Sequence, residues 1–316
     1  MSDSFFDVVT FGEAMLLLSP LDVPNLEMAA TLHLSVGGAE SNAAIGLARL
    51  GHRVSWISRV GADPFGSRVL KVIRGEGIDV NRVDRDPVAP TGLMFKEVRP
   101  GNATKVFYYR RNSAATALRP EQFAGLEARY LFVTGITPAL SPSNRELTLS
   151  VIDQFRARGT KVVFDPNMRF RLWGVKEARP VLLELARRAD VLLPSQVEAE
   201  LLTETNDLDR ARERLLELGP TQVAIKLGGE GARFADGPRR GTVPPFAVPE
   251  VDPLGAGDAF CAGVISGLLD SLDFADAVRR GAALGAFCVA CQGDYAGLPT
   301  RAELETFLTG QPEPGR

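Results

Sequence analysis

Apolar residues along this chain alternate between two spacings: short β-branched runs, then longer stretches at helical intervals. Residues 7–12 form one such run closed by a glycine, and they predict a buried first strand. Residues 14–20 and 32–36 read as further extended pieces. A small-residue helix is expected over 43–50, stopped by Gly51, followed by a strand over 54–60 and a helix over 64–75.

The rhythm breaks between Thr91 and Tyr109. Residues 92–98, a turn at Pro100, Gly101 and Asn102, and residues 105–109 carry the pattern of a hairpin. Strands expected at 130–134, 161–165, 190–194 and 222–226 then alternate with helices at 143–156, 178–188, 196–203 and 208–218. Residues 233–236 and 241–248 read as edge hairpin strands, and two apolar helices are expected at 258–269 and 274–290. Such alternation argues for an α/β fold, a mostly parallel sheet covered by helices on both faces. The early extended pieces and the hairpin do not fit that sheet. They predict a small β appendage made by insertions at about residues 14–36 and 91–111 of a single domain spanning 1–316. The Pro/Gly-rich tail from Gly310 is expected to fray.

Composition narrows the field. With 316 residues, 45% of them hydrophobic, the chain can bury a large core. A net charge of -3 lacks the basic surplus of a nucleic-acid binder, so no nucleic-acid partner is expected. The first seven residues have no basic and apolar signal regions, and no apolar run reaches membrane-span length. A soluble, cytoplasmic protein without a membrane partner is therefore expected. His33 and His52 are too few for a histidine-rich metal site. Cys288 and Cys291 spell C-x-x-C, but their small apolar surroundings favour packing over redox chemistry.

The densest candidate chemistry lies at residues 252–263. Gly255, Ala256 and Gly257 form a small-residue turn directly before Asp258 and an apolar run. A glycine turn opening a helix leaves backbone N–H groups without intrahelical partners, and with the helix dipole they make an anion site. A carboxylate at its mouth would repel a resting phosphate. It makes sense as a base taking the proton of a nucleophile that attacks the phosphate, which suggests phosphoryl transfer to a hydroxyl. A plain capped helix start is the competing explanation, and this segment alone leaves both open.

Other segments are weaker singly. Gly37 and Gly38 allow a close backbone approach, and Asn42 offers donor and acceptor, which suits a polyhydroxy compound; a helix capped by Ser41 or Asn42 explains the same residues. Tyr108 and Arg110 share a strand face and suit a carboxylate-bearing ligand, against the alternative of an exposed cationic edge. Asp165, Asn167 and Arg169 follow a buried strand, where open α/β sheets bind ligands; Arg169 suits a carboxylate or a phosphate. Ser195 and Glu198 fit a capping box, and Glu198 also suits a hydrated Mg²⁺. Lys226, Gly228, Gly229 and Gly231 would let a nucleotide lie on the backbone, although no P-loop is present. Asp63 reads as a helix cap, and Asp294 is a further polar candidate for the substrate.

Together, the early Gly37-Gly38…Asn42 motif and the late Asp252…Gly255-Ala256-Gly257-Asp258 motif resemble the two signatures of the ribokinase-like (PfkB) carbohydrate kinases, over nearly the whole chain. The resemblance implies a three-layer α/β/α fold with a small β-sheet lid, ATP as donor, and Mg²⁺. It places Asp258 as base, residues 255–257 as anion hole, and Lys226, Gly228, Gly229, Gly231, Asn167 and Ser195 toward the nucleotide. Within that family the lid segment Tyr108 to Arg110 and the stretch around Arg169 are similar to the kinases of 2-keto-3-deoxygluconate. This implies a sugar acid held by Gly37, Gly38, Asn42, Tyr108, Arg110, Arg169 and Asp294, and phosphorylated on its terminal primary hydroxyl. Three positions depart from the pattern: Pro253 replaces a usual Thr, Ser195 a usual Asn, and Met94 a frequent Tyr. The last leaves a related sugar acid or 2-keto-3-deoxygalactonate as other acceptors; a kinase of fructose or ribose on the same fold, and a non-catalytic sensor, are separate alternatives. The one-sided lid sheet implies homo-oligomer formation.

Overall fold

The structure, a computed structural model, describes residues 5–97 and 104–310. Strands β1 (Phe5–Phe11), β2 (Met15–Pro20) and β3 (Leu32–Gly37) lead into helix α1 (Ala39–Arg49). Next come β4 (Val54–Ile57), β5 (Arg59–Gly61), α2 (Pro64–Gly75), β6 (Asp84–Asp86), β7 (Leu93–Glu97) and β8 (Lys105–Tyr109). The βα alternation then runs through β9 (Glu127–Thr134), α3 (Ile136–Leu140), α4 (Pro142–Arg156), β10 (Lys161–Asp165) and α5 (Val175–Ala186). It continues through β11 (Val191–Leu192), α6 (Gln196–Thr203), α7 (Leu208–Glu217) and β12 (Gln222–Lys226). β13 (Ala232–Asp236), β14 (Arg239–Val243), α8 (Ala256–Leu269), α9 (Phe274–Val289) and α10 (Arg301–Thr309) follow.

Eight strands form the main sheet in the order β14-β13-β12-β11-β10-β9-β1-β4. The six from β12 to β4 are parallel; β13 and β14 add an antiparallel edge. Successive residues of the central strands feed two separate cores, because side chains alternate across a strand. Phe132, Val163 and Ala224 pack into one layer with α1, α8 and α9. Leu131, Val133, Val162, Phe164, Val223 and Ile225 pack into the other, against residues of α4 to α7. This is the expected three-layer α/β/α arrangement.

A second sheet has the order β3-β2-β7-β8. It joins the two segments that break the βα rhythm. Met15, Leu17 and Met94 line its inner face, with Val106 and Tyr108 beside them. Leu34, Phe107 and Tyr109 are exposed. The turn expected at Pro100, Gly101 and Asn102 lies outside the described residues, as do residues 311–316.

Three boundaries differ from expectation. Helix α1 starts at Ala39, not at residue 43, and its N-cap is Gly38 without a side-chain cap; Ser41 and Asn42 sit inside the helix. The apolar run 54–60 splits at Ser58, and β5 leaves the main sheet to pair with β6. The last edge strand stops at Val243, because Pro244 and Pro245 have no N–H to give a ladder. Asp63 caps α2 as expected, accepting from the Gly66 N–H at 2.7 Å. Cys288 is a buried free thiol and Cys291 an exposed one; they stand at the C-terminal end of α9 and beyond it, not at a helix start.

Among the described residues no helix is long and apolar enough to cross a membrane.

Candidate active site

The polar residues singled out from the sequence gather at the C-terminal ends of the parallel strands, below the small sheet. Asn167 and Arg169 follow β10, Ser195 follows β11, and Lys226 ends β12; Glu13, which the sequence did not single out, follows β1. Strand C-termini carry the loops into which an open α/β sheet receives ligands.

Asp258 occupies the first turn of α8 and is buried. Asn42 Nδ2 donates to its Oδ2 at 2.9 Å, and Asn167 Nδ2 donates to its Oδ1 at 3.2 Å. The two early and late motifs, 216 residues apart in sequence, thus meet in one hydrogen bond. Burial pushes the Asp258 carboxyl up to about 6; the nearby Arg169 guanidinium and the Asn42 amide pull in the other direction. Asn42 Oδ1 is buried with no hydrogen-bond partner among the described residues, which leaves an open acceptor next to the carboxylate.

Gly255 caps α8 with φ +83°, in the left-handed region. A Cβ there would stand 2.0 Å from the carbonyl oxygen of Asp294. Only glycine fits this turn, on both conformational and steric grounds. In the first helical turn the N–H groups of Gly257 and Asp258 have no intrahelical carbonyl and point out of the helix start, while that of Ala256 makes a long bond of 3.4 Å to the Pro253 carbonyl oxygen. Gly38, with an extended backbone, is constrained on steric grounds alone: a Cβ on it would lie 2.4 Å from the Glu13 carbonyl oxygen.

Two pockets meet at Asp258. The inner one is narrow; Gly38, Asn42, Tyr108, Arg110 and Asp294 line it below the small sheet. The outer one, of about 480 Å³, is lined by Asn167, Ser195, Glu198, Lys226 and Gly257 among others. Arg169, Gly255 and Asp258 line both. A third, largely apolar pocket of about 310 Å³ shares Lys226, Gly228 and Gly257 with the outer one, and Phe246, Val248 and Val289 wall it. Gly228 and Gly229 have open space where a Cβ would stand.

Several side chains have partners that the sequence did not disclose. Arg110 is ion-paired to the buried Glu13, whose other oxygen accepts from Ser113 Oγ at 2.5 Å. The Arg110 guanidinium also lies over the Tyr108 ring, 5.5 Å from its centroid. Arg169, by contrast, is exposed and makes no ion pair among the described residues. Lys226 Nζ is 2.7 Å from Asp165 Oδ2; burial works against its charge, but the carboxylate outweighs it and holds the ammonium above its ordinary value. Asn167, expected toward the nucleotide, is a direct partner of Asp258 as well as a lining of the outer pocket.

Glu198 closes a capping box with Ser195. Its Oε2 accepts from the Ser195 N–H and its Oε1 from the Met168 N–H, both at 2.7 Å. Both oxygens therefore already serve the backbone. No group of three metal-ligating side chains occurs among the described residues. A first-sphere metal cage does not fit; an ion carried by ligand phosphates and contacted through water does.

Glu13, Glu40 and Lys96 escaped the sequence reading. Glu40 is fully buried, accepts from Thr134 Oγ1 at 2.7 Å and Thr137 Oγ1 at 2.9 Å, and is pushed up to about 7 chiefly by burial. Lys96 lies on the inner, alternate-residue face of β7 beside Met94. A charge on a strand's apolar face was the one available signal for it.

A family model for the pfkB family carbohydrate kinases matches residues 6–301. The 2-dehydro-3-deoxygluconokinase of Bacillus subtilis is 42% identical over 96% of this chain and 96% of its own length. A PfkB protein from Polaromonas sp. JS666 superposes with a TM-score of 0.86 at 41% identity, covering 95% of this chain and 99% of that one. A fructokinase from Vibrio cholerae, solved with fructose, ADP and a calcium ion, gives a TM-score of 0.87 at 28% identity over 96% of this chain and 99% of its own.

Proposed function

We propose, since this chain belongs to the pfkB family of carbohydrate kinases and is therefore a sugar kinase, that its acceptor is 2-keto-3-deoxygluconate and that ATP phosphorylates the terminal primary hydroxyl. The observation that carries the reading is the junction at Asp258. One buried carboxylate, held between two asparagine amides, faces both the narrow recess below the small sheet and a cradle of helix-start amides.

Each part then has a chemical task. The apolar pocket walled by Phe246, Val248 and Val289 suits an adenosine, and the bare backbone at Gly228 and Gly229 lets the nucleotide lie close. Lys226 and the amides of residues 256–258 face the phosphates, where fixed donors stabilise charge on the transferring group. Glu198 would hold a phosphate-borne magnesium ion only through water, and such an ion would supply neutralisation of phosphate charge. Asp258 takes the proton of the attacking hydroxyl. Asn42 and Asn167 hold the carboxylate in place, and the open Asn42 oxygen accepts from a substrate hydroxyl. The small sheet acts as a lid that keeps bulk water out, which limits wasteful hydrolysis.

The acid end of the acceptor meets Arg169 and, through Tyr108, Arg110. Because Arg110 already faces Glu13, Arg169 carries the larger share of carboxylate recognition. Arg169→Ala should therefore raise KM for the sugar acid more than Arg110→Ala does, with the ADP Kd changing less than that KM in both. Equal losses for acid and nucleotide would remove the carboxylate assignment. The acceptor itself is tested by an ATP-coupled assay over 2-keto-3-deoxygluconate, 2-keto-3-deoxygalactonate, fructose and ribose. The highest kcat/KM is expected on the first; a neutral sugar at the top would overturn the proposal.

A base that ionises at about 6 also sets a pH limb. Below that value Asp258 is protonated and cannot accept, so kcat/KM for the acceptor should fall about tenfold per pH unit on the acid side and level off above it. A profile flat from pH 4.5 to 8 would contradict a carboxylate base with this environment.

A further inference from the structure

Lys96 is 2% exposed, unusual for a lysine, whose charge is almost never fully buried without a partner. It belongs to the small sheet, yet its ammonium reaches the loops of the main domain. Nζ lies 2.5 Å from Asp252 Oδ2 and 3.1 Å from Asp294 Oδ1. The Asp252 carboxylate in turn ties down backbone. Asp252 Oδ1 accepts from the Leu254 N–H at 3.3 Å, and its Oδ2 from the Gly293 N–H at 3.0 Å. Asp294 backs its carbonyl onto Gly255, the cap of α8, and sets its Oδ2 beside Gly37 at the acceptor recess.

One ammonium therefore joins three pieces: strand β7, the segment entering α8, and the loop at 292–296. We propose that Lys96 is a positioning residue, whose charge, clamped between Asp252 and Asp294, holds the amide cradle in register with the acceptor recess and links both to the small sheet. The acceptor side of this inference rests on the kinase reading above. Two buried carboxylates left without their cation repel each other and draw in water or counter-ions. The loops that Asp252 ties would then separate, and the cradle with them.

The same three side chains also line a cavity of about 400 Å³ on the inner side of the small sheet, next to Leu17, Ser35, Gln292 and Tyr295. That cavity gives small solutes a path to the carboxylates. It makes chemical rescue possible: in Lys96→Ala, added ammonium or methylammonium can take the place of the lost Nζ.

The test uses the full chain as wild type, Lys96→Ala and Lys96→Met. Misplacement of reacting groups by about 1 Å costs on the order of 10²-fold, so kcat/KM for the acceptor should fall by about that factor in both variants. The ADP Kd should change much less than kcat/KM for the acceptor, because Lys96 is not among the residues lining the adenosine pocket. Methylammonium should restore at least about tenfold in Lys96→Ala and nothing in wild type. Amide hydrogen exchange in peptides covering 252–258 and 292–297 should speed up by about tenfold or more, a readout that needs no acceptor. Should the lone carboxylates prevent folding, Lys96→Met with Asp252→Asn removes one of them and is expected to fold with the same acceptor loss. Unchanged acceptor kcat/KM, or a loss that amines do not restore in a folded Lys96→Ala, overturns the inference. Wild-type inactivity toward every sugar acid would overturn the acceptor reading instead, and hydrogen exchange would still decide the role of Lys96.

Discussion

Asp258→Asn is expected to lower turnover by about 10²–10⁴-fold, the scale of losing a positioned general base, while ADP binding persists. The substitution is not free of side effects. Asn42 and Asn167 each donate to one carboxylate oxygen, and an asparagine at 258 would present its own NH₂ to one of them. That conflict costs about 1 kcal/mol, the scale of one hydrogen bond. The expected rate loss corresponds to about 2.7–5.5 kcal/mol of activation free energy, so the lost base dominates. The check is a kcat measurement with a thermal melt and ADP calorimetry on the same preparation. A folded, nucleotide-binding variant with turnover within a few-fold of wild type would remove Asp258 from the chemistry.

Gly255→Ala should be nearly as damaging, for a different reason. The residue has φ +83°, and the new methyl would stand 2.0 Å from the Asp294 carbonyl oxygen. A left-handed backbone costs a non-glycine residue about 1–2 kcal/mol, and the clash must move either the turn or the 292–296 loop. Either motion turns the helix-start amides away from the transferring group. Losing one donor of such a cradle costs about 10²–10³ in kcat, which is the expected loss. Gly75→Ala supplies the control, since that exposed helix-end glycine has open space for a methyl and an ordinary φ. Its kcat should match wild type. Comparable activity in Gly255→Ala would mean that the cradle does not touch the phosphoryl group.

Much of this architecture was legible in the chain because it is local. The βα rhythm, the two-sided burial of the central strands, and the caps at Asp63 and Ser195 all depend on residues close in sequence. The two glycine motifs, 216 residues apart at Asn42 and Asp258, were legible as a pair only through their joint resemblance to one family. The early start of α1 was not legible. Glu40, Ser41 and Asn42 are polar residues that look like a loop before a helix. Inside the fold Glu40 is matched by Thr134 and Thr137, and Asn42 by Asp258, so burial in the first helical turns is tolerated. Those partners lie about a hundred residues or more away, and no local pattern announces them.

Glu13 and Lys96 were missed for the same reason. A lone Lys in a strand or a Glu after one has many explanations. Each acquires a meaning only when Arg110 or the pair Asp252 and Asp294 arrives from elsewhere. The consequence for specificity is direct. The sequence showed two arginines suited to a carboxylate, whereas the structure gives one of them a carboxylate of the protein's own.

The most direct measurement is a crystal structure of the complex with 2-keto-3-deoxygluconate, Mg²⁺ and a non-hydrolysable ATP analogue. The account predicts the terminal hydroxyl of the acid within about 2.6–3.2 Å of the Asp258 carboxylate, and the terminal phosphate of the analogue on the amides of residues 256–258. An acceptor bound with that hydroxyl turned away from Asp258, or a phosphate seated elsewhere than the start of α8, would contradict it.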